Sequence, residues 1–269
     1  MEAPLNYILS AKGTVIGSAA EIALAPVGDL TQIHFLAPCD LQAVKACGVT
    51  FASSMIERVI EEQAAGDPQK AEAIRARIAA VIGENLRDIR AGSAEAAEAK
   101  KALIAEGLWS QYLEVGIGPD AEVFSKAQTL SSVGTGADVG LHPMSKWNNP
   151  EPEIVLAINS KGKIVGATLG NDVNLRDVEG RSALLLSKAK DNNASCSIGP
   201  FIRLFDATYS LDDVRCAELN LRVEGLDGYI LYGHSLSAFA HIYSLYFAHF
   251  EGGFEHLQSS QKQRYIHLV

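Results

Sequence analysis

Apolar positions along the chain follow two different rhythms. In the first half they recur at helical spacing inside charged stretches. Met55, Val59 and Ile60 fall on one helical face, and Ile74, Ile78, Val81 and Ile82 on another. "GDP" at 66–68 separates the two. "SAEAAEAKKALIAEG" reads as a third helix, with Ser93 as N-cap, Glu95 in the first turn and Gly107 as the stop. A short extended piece is expected at Gly48–Phe51, and one or two weak strands within residues 1–36.

From about Glu122 the rhythm shortens. "AEVFSKAQ" reads as a strand, and "SSVGTGADVGLHPMSKW" as a glycine-rich loop. Ile154–Asn159, the turn "SKGK" and Ile164–Leu169 form a hairpin signal. "NDVNLRDVEGRSALLLSKAK" is expected to start a helix at Asn171 or Asp172, and "SCSIGPFIRLF" is extended. "ELNLRVEG-LDG-YILYG" alternates apolar and polar positions and predicts a second hairpin. Helices first and hairpins later imply an α+β, mostly β core with a helical insertion. The expected division is residues 1–36, a core at 37–233 with the insertion near 53–106, and a tail at 234–269.

Composition narrows the classes. The chain has 269 residues, 48% of them hydrophobic, enough for a sizeable core. The net charge of −9, with no basic run, argues against nucleic acid and against an anionic membrane surface. No apolar run approaches ~20 residues, so no spanning helix is expected. Cys39, Cys47, Cys196 and Cys216 are scattered without a CxxC pair, which suits neither a zinc site nor a disulfide framework. No signal-peptide pattern is visible at the N-terminus, and a cytoplasmic protein is the expectation. GxSxG, P-loop and dinucleotide fingerprints are missing from the sequence.

Four groups of residues carry chemistry. Glu151 and Glu153 flank Pro152 just before an apolar strand, where alternate residues share a face. The hairpin that follows brings Asp172 back beside them. Three carboxylates without cysteine or histidine suit a hard cation such as Mg²⁺, Mn²⁺ or Ca²⁺. The alternative is a solvated strand edge, with Pro152 at its first residue and Asp172 as a helix N-cap. Arg176 either grips a substrate carboxylate or pairs with Asp172 along a helix. Lys126 and Lys190 sit in stretches of low charge. Each is either a snorkelling surface lysine or a group that stabilises an enolate or moves a proton. The tail holds five of the seven histidines; His234, His241, His249 and His256 are spaced by seven or eight, but Gly252 and Gly253 interrupt any helix there.

The segments "WNNPEPEIVLAI", "GATLGNDVNLRDVEGRSALLLSKAKDNNASCSIGPFIRLFD" and "CGVTFASSMIERVIEEQ" resemble the fumarylacetoacetate hydrolase superfamily. They are most similar to its branch of 2-keto-3-deoxy sugar-acid dehydratases, from about Leu36 to Gly233. The resemblance implies a mixed β-sandwich and β-roll around Mg²⁺. It also implies Glu151, Glu153 and Asp172 as metal ligands, Lys190 as the active-site lysine, and Arg176 and Lys126 as substrate contacts. A 2-oxo acid substrate and a homodimer are further implications. A cation on the 2-oxo group acidifies the adjacent C–H. Loss of a β-hydroxyl then gives dehydration, whereas water attack on a second carbonyl gives C–C hydrolysis of the acylpyruvate type.

Two departures bear on the choice. Glu57 matches the glutamate of the family's His–Glu pair, but Ser54 stands where the histidine is expected, which favours dehydration with Glu57 as acid–base residue. After Gly233 the family's closing strands do not follow in sequence, so an incomplete sheet with exposed edges is expected. A non-catalytic relative is the third reading.

Overall fold

The computed structural model describes residues 4–22, 31, 33–39, 41–48, 59–60, 63–64, 67–82, 89, 91–225, 227–236 and 265–268. Its contacts divide into two units. One comprises Met1–Ala46, Phe124–Ser237 and Gln258–Val269, and the other Cys47–Val123 and Ala238–Leu257. Met55 and Glu57 lie outside the described residues, as do Ser54 and the tail histidines His241, His249 and His256.

The second unit is helical. Pro68–Ile82, Ala94–Ala105 and Gln111–Ile117 are its longer helices. Ile74 and Ile78 are buried with Val59, Ile60, Leu103, Leu108 and Leu113 in one apolar cluster, as the helical spacing predicts. The Ser93 hydroxyl accepts from the Ala96 N–H at 3.1 Å, and Gly107 takes φ +66° just past the helix end. Both are the expected caps.

The other unit is built on strands: β1 (Ala43–Cys47), β2 (Val123–Ala127), β3 (Asn148–Asn149), β4 (Pro152–Ile158), β5 (Ile164–Asp172), β6 (Asn174–Leu175), β7 (Cys196–Leu204), β8 (Glu218–Glu224), β9 (Ile230–Leu236) and β10 (Tyr265–Leu268). Six of them form one sheet in the order β2-β1-β10-β4-β5-β7, while β3 pairs with β6 and β8 with β9. The two predicted hairpins are thus β4–β5 and β8–β9. The chain is an α+β protein with ten strands among the described residues, as the pattern implied.

Two local expectations change. Residues 4–10 and 19–22 are helical rather than extended. No helix starts at Asn171 or Asp172: β5 runs through both, because Asn171 and Asp172 pair with Ser197 and Cys196 of β7. The helix begins at Arg176. The extended piece expected at Gly48–Phe51 falls mostly outside the described residues, and the strand next to it is Ala43–Cys47.

The tail also differs from expectation. Tyr265–Leu268 enters the sheet between β1, to which it is parallel, and β4, to which it is antiparallel. β4 is therefore an interior strand, consistent with its consecutive buried residues Ile154–Ala157. Pro152 lies beyond the β10 register, which reaches only Val155, so its missing N–H costs no ladder bond there.

Candidate active site

The end of the β4–β5 hairpin decides where the carboxylates go. Glu153 opposes Gly170, and the Asp172 N–H donates to the Glu151 carbonyl at 2.8 Å, extending the ladder to Glu151. Opposed residues in an antiparallel pair point to one face, and alternate residues repeat it. Glu151, Glu153 and Asp172 therefore share a face with Val155, and through the β5–β7 register with Cys196 and Ile198. Val155, Cys196 and Ile198 belong to the apolar cluster of Val44, Ala46 and Ala127. The acids point to the core side of the sheet. They are not the solvated edge that was the alternative.

Two lysines meet them. Lys190 ends the helix Leu186–Lys190 and is 3% exposed. Its ammonium donates to Glu151 Oε2 at 2.5 Å and to Asp172 Oδ2 at 3.2 Å. Lys126, on β2, has no exposed surface. Its ammonium donates to the carbonyls of Val173 at 2.8 Å and Lys190 at 2.5 Å, and lies 3.1 Å from Asp172 Oδ1. Neither lysine is the snorkelling surface residue of the alternative reading. The Lys126 ammonium is surrounded by protein oxygens inside the core. That places it as an internal tie for Asp172 and Lys190.

Charge counting explains the protonation of the cluster. Three carboxylates face two ammonium groups. Burial, with the neighbouring charges of Asp172 and Glu151, pushes the Glu153 carboxyl up to about 8, against a pull from Lys190. Held neutral, Glu153 leaves two anions balanced by two cations. Burial also draws the Lys126 ammonium below its ordinary range, partly offset by Asp172. For Lys190 burial acts downward too, but Asp172 and Glu151 outweigh it and the net direction is up.

Polar neighbours hold Glu151. Its Oε1 accepts from Asn174 Nδ2 at 3.1 Å and from Asn149 Nδ2 at 3.3 Å, leaving Oε2 to Lys190. Asn174 Nδ2 also donates to Glu179 Oε2 at 2.6 Å, and Arg176 Nη1 lies 3.2 Å from the same oxygen. Arg176 is thus paired with Glu179 one turn on, not with Asp172. Asp177 ties down a loop. Its carboxylate accepts from the Ser145 hydroxyl at 2.6 Å and the Lys146 N–H at 3.0 Å, anchoring the segment that leads into β3. These bonds hold it below the ordinary carboxylate range. Asn149, Asn174 and Glu179 were not singled out from the sequence. Their side chains sit on short pieces with no readable periodicity.

The donor set fits a hard divalent cation on three counts. It is all oxygen. It holds one carboxyl, Glu153, that burial and the neighbouring charges of Asp172 and Glu151 push up to about 8. And Asp172 Oδ1 is buried without a hydrogen-bond partner among the described residues, since Lys126 approaches it off hydrogen-bond geometry. Among the described residues, no group of three or more Asp, Glu, His or Cys side chains is arranged so that it could hold a metal ion as it stands. The Lys190 ammonium holds the place between Glu151 and Asp172.

The fold resembles that of a solved 2-keto-3-deoxy sugar-acid dehydratase, and the curated relatives that the chain resembles are named as dehydratases of this kind. No family model matches the chain. A relative named "Probable 2-keto-3-deoxyxylonate dehydratase", from Haloferax volcanii, is 28% identical over 216 residues, 80% of this chain and 68% of the relative. The 2-dehydro-3-deoxy-D-arabinonate dehydratase of Saccharolobus solfataricus is 38% identical over 94 residues, 34% of this chain and 32% of the relative. Among solved structures, 2-keto-3-deoxy-D-arabinonate dehydratase complexed with magnesium and 2,5-dioxopentanoate superposes with a TM-score of 0.51 at 24% identity. That match covers 59% of this chain and 54% of the other, so the chain spans about half the length of that structure. The resemblance read from the motifs is the one these comparisons return.

Proposed function

We propose that this chain is a magnesium-dependent dehydratase of a 2-keto-3-deoxy sugar acid. One observation carries the reading: Glu151, Glu153 and Asp172 converge on the core side of the sheet with two buried lysines. A divalent ion held by these three carboxylates would supply Lewis acidity to the 2-oxo acid. Lys190 carries a proton at Nζ beside that position and serves as the acid–base partner of the reacting carbon and leaving oxygen. Lys126 and the apolar residues Val155, Cys196 and Ile198 keep water from the inner side, which strengthens the charge interactions within. The partly exposed Arg176 guanidinium attracts the anionic substrate. Glu57, which lies outside the described residues, is a further acid–base candidate through the family resemblance alone.

The reaction is balanced without an outside reactant. A proton leaves C3 and hydroxide leaves C4. The double bond then migrates as C5 gives up a proton and C3 takes one, and the resulting enol relaxes to the saturated aldehyde. For a five-carbon acid the product is 2,5-dioxopentanoate with one water. The same compound accompanies magnesium in the dehydratase structure above. Dehydration is favoured over C–C hydrolysis by Ser54, which replaces the histidine that the hydrolases use.

The test is incubation of the protein with Mg²⁺ and 2-keto-3-deoxypentonate, with 2,5-dioxopentanoate followed by chromatography. Formation that stops on chelation and with Asp172→Asn supports the reading. Cleavage of an acylpyruvate with no dehydration of any 2-keto-3-deoxy acid overturns it.

A further inference from the structure

Asn174 lies wholly inside the protein, yet its amide serves two carboxylates at once. Both nitrogen-bound hydrogens are spent: one toward Glu151 Oε1 at 3.1 Å, the other toward Glu179 Oε2 at 2.6 Å. The nitrogen must face this way, because ionised carboxylates only accept. The amide oxygen is left buried with no partner among the described residues. A side chain placed merely to fill space would not sacrifice that oxygen. The orientation is set by the two acids.

We infer that Asn174 is a positioning residue for Glu151, anchored through Glu179 to Arg176. The chain of contacts runs from Arg176 Nη1 to Glu179 Oε2 at 3.2 Å, on to Asn174, and then to Glu151. Asn149 adds a longer bond to the same Glu151 oxygen at 3.3 Å. With Oε1 held by neutral amides, Oε2 is the oxygen presented to positive charge, and Lys190 takes it at 2.5 Å. Neutral donors suit this role. A cation there would neutralise Glu151 and weaken its hold on a metal ion, whereas amides orient the carboxylate and leave its charge available. Backbone supports the placement: Asn174 pairs with Asn149 in the β3–β6 ladder, so both amides are delivered to Glu151 by one pairing. Arg176 thereby acts on the site through Glu179 as well as through its field.

This inference rests on the reading of Glu151, Glu153 and Asp172 as a cation site. The test measures Mn²⁺ binding by the electron paramagnetic resonance of the free ion, with no turnover involved. Circular dichroism and thermal melting confirm the fold of each variant. Wild-type protein binds Mn²⁺. Asn174→Ala weakens it about 10–100-fold, the usual cost of losing a partner that orients a metal ligand. Glu179→Ala weakens it by a smaller factor. In a Glu151→Gln background, already weak, Asn174→Ala adds no further loss, because its route to the metal is gone. A merely structural asparagine would show the same loss in both backgrounds, and that result overturns the inference. So does folded Asn174→Ala protein with wild-type affinity. Should Asn174→Ala fail to fold, unchanged affinity in Glu179→Ala overturns it. Wild-type protein that leaves the Mn²⁺ signal untouched sinks the cation site itself, an outcome separate from any difference between variants.

Discussion

Lys190 Nζ and Glu151 Oε2 meet at 2.5 Å, with Asp172 Oδ2 on the other side of the same ammonium at 3.2 Å. The lysine thereby holds together two acids that would otherwise repel across a nearly dry space. It also draws on the same carboxylate oxygens that a divalent cation would use. Lys190 and the metal are therefore competitors for the same negative charge.

Lys190→Met separates the two roles. Removing the competitor tightens Mn²⁺ binding, or at least leaves it intact, while removing the proton carrier lowers dehydratase turnover by ~10²–10⁴. Without metal the variant melts lower than wild type, because Glu151 and Asp172 lose a buried partner. Added Mg²⁺ closes most of that gap. A variant that loses metal and activity together would show that Lys190 builds the site instead of working in it.

Glu153 predicts a proton released on metal binding. Its carboxyl is pushed up to about 8 from 4.5, so at pH 7 the metal-free protein holds this proton and the unfolded chain does not. The sign follows: metal-free stability contributed by Glu153 is intact below about 4.5 and is lost as pH rises towards 8. A divalent ion replaces the proton, and its apparent affinity climbs with pH until about 8 and then levels. Calorimetric titration with Mg²⁺ in buffers of different ionisation enthalpy reads the proton directly. Equal heats in all buffers at pH 7 would contradict the assignment. Glu153→Gln removes the pH dependence along with most of the affinity, and raises metal-free stability at pH 7, because its neutral amide takes up no proton on folding.

The carboxylate site was legible because its logic is local. Glu151 and Glu153 lie on one chain segment, and a hairpin of readable turn chemistry returns Asp172 to them. The core-facing direction of these acids was not legible, because it depends on the pairing of Asp172 with Cys196 across 24 positions of sequence. β1 was missed for a similar reason: "AVKAC" is short, and its strand state comes from a parallel partner near the chain end, at Tyr265–Leu268. Asn174 and Glu179 carried no signal in periodicity, since a two-residue strand and a four-residue helix hold them. The sequence left Lys126 open between a surface lysine and a functional one, because only the fold surrounds its ammonium with oxygens from Val173, Lys190 and Asp172.

Lys126→Met tests the buried tie. The substitution keeps the volume and removes the charge, leaving Asp172 beside apolar atoms, the Val173 carbonyl without this donor and the Lys190 carbonyl with only the longer Asn192 N–H bond at 3.3 Å. Removing one partner of a buried pair costs about 3–5 kcal/mol. For a protein of this size that lowers the melting temperature on the order of 10 °C. Mg²⁺ restores part of it by neutralising Asp172. A melt unchanged from wild type, with Mg²⁺ absent, would mean that Lys126 contributes nothing to holding Asp172.

Cys196 offers a check on how dry this side of the sheet is. Burial pushes its thiol up to about 12 from 9.0, with Lys126 pulling the other way. The thiolate is the reactive form, so Cys196 stays inert at pH 8 despite the nearby ammonium groups. Cys216 is exposed and provides the internal control. Iodoacetamide at pH 8 followed by peptide mass spectrometry should label Cys216 within minutes and Cys196 only in denaturant. The same shift makes the folded state lose stability as pH rises from about 9 towards 12, since unfolding frees a thiol that then ionises more readily. Early labelling of Cys196 in the native protein would mean that water reaches the face shared by Asp172, and that the charges there are far more screened than the lysine contacts imply.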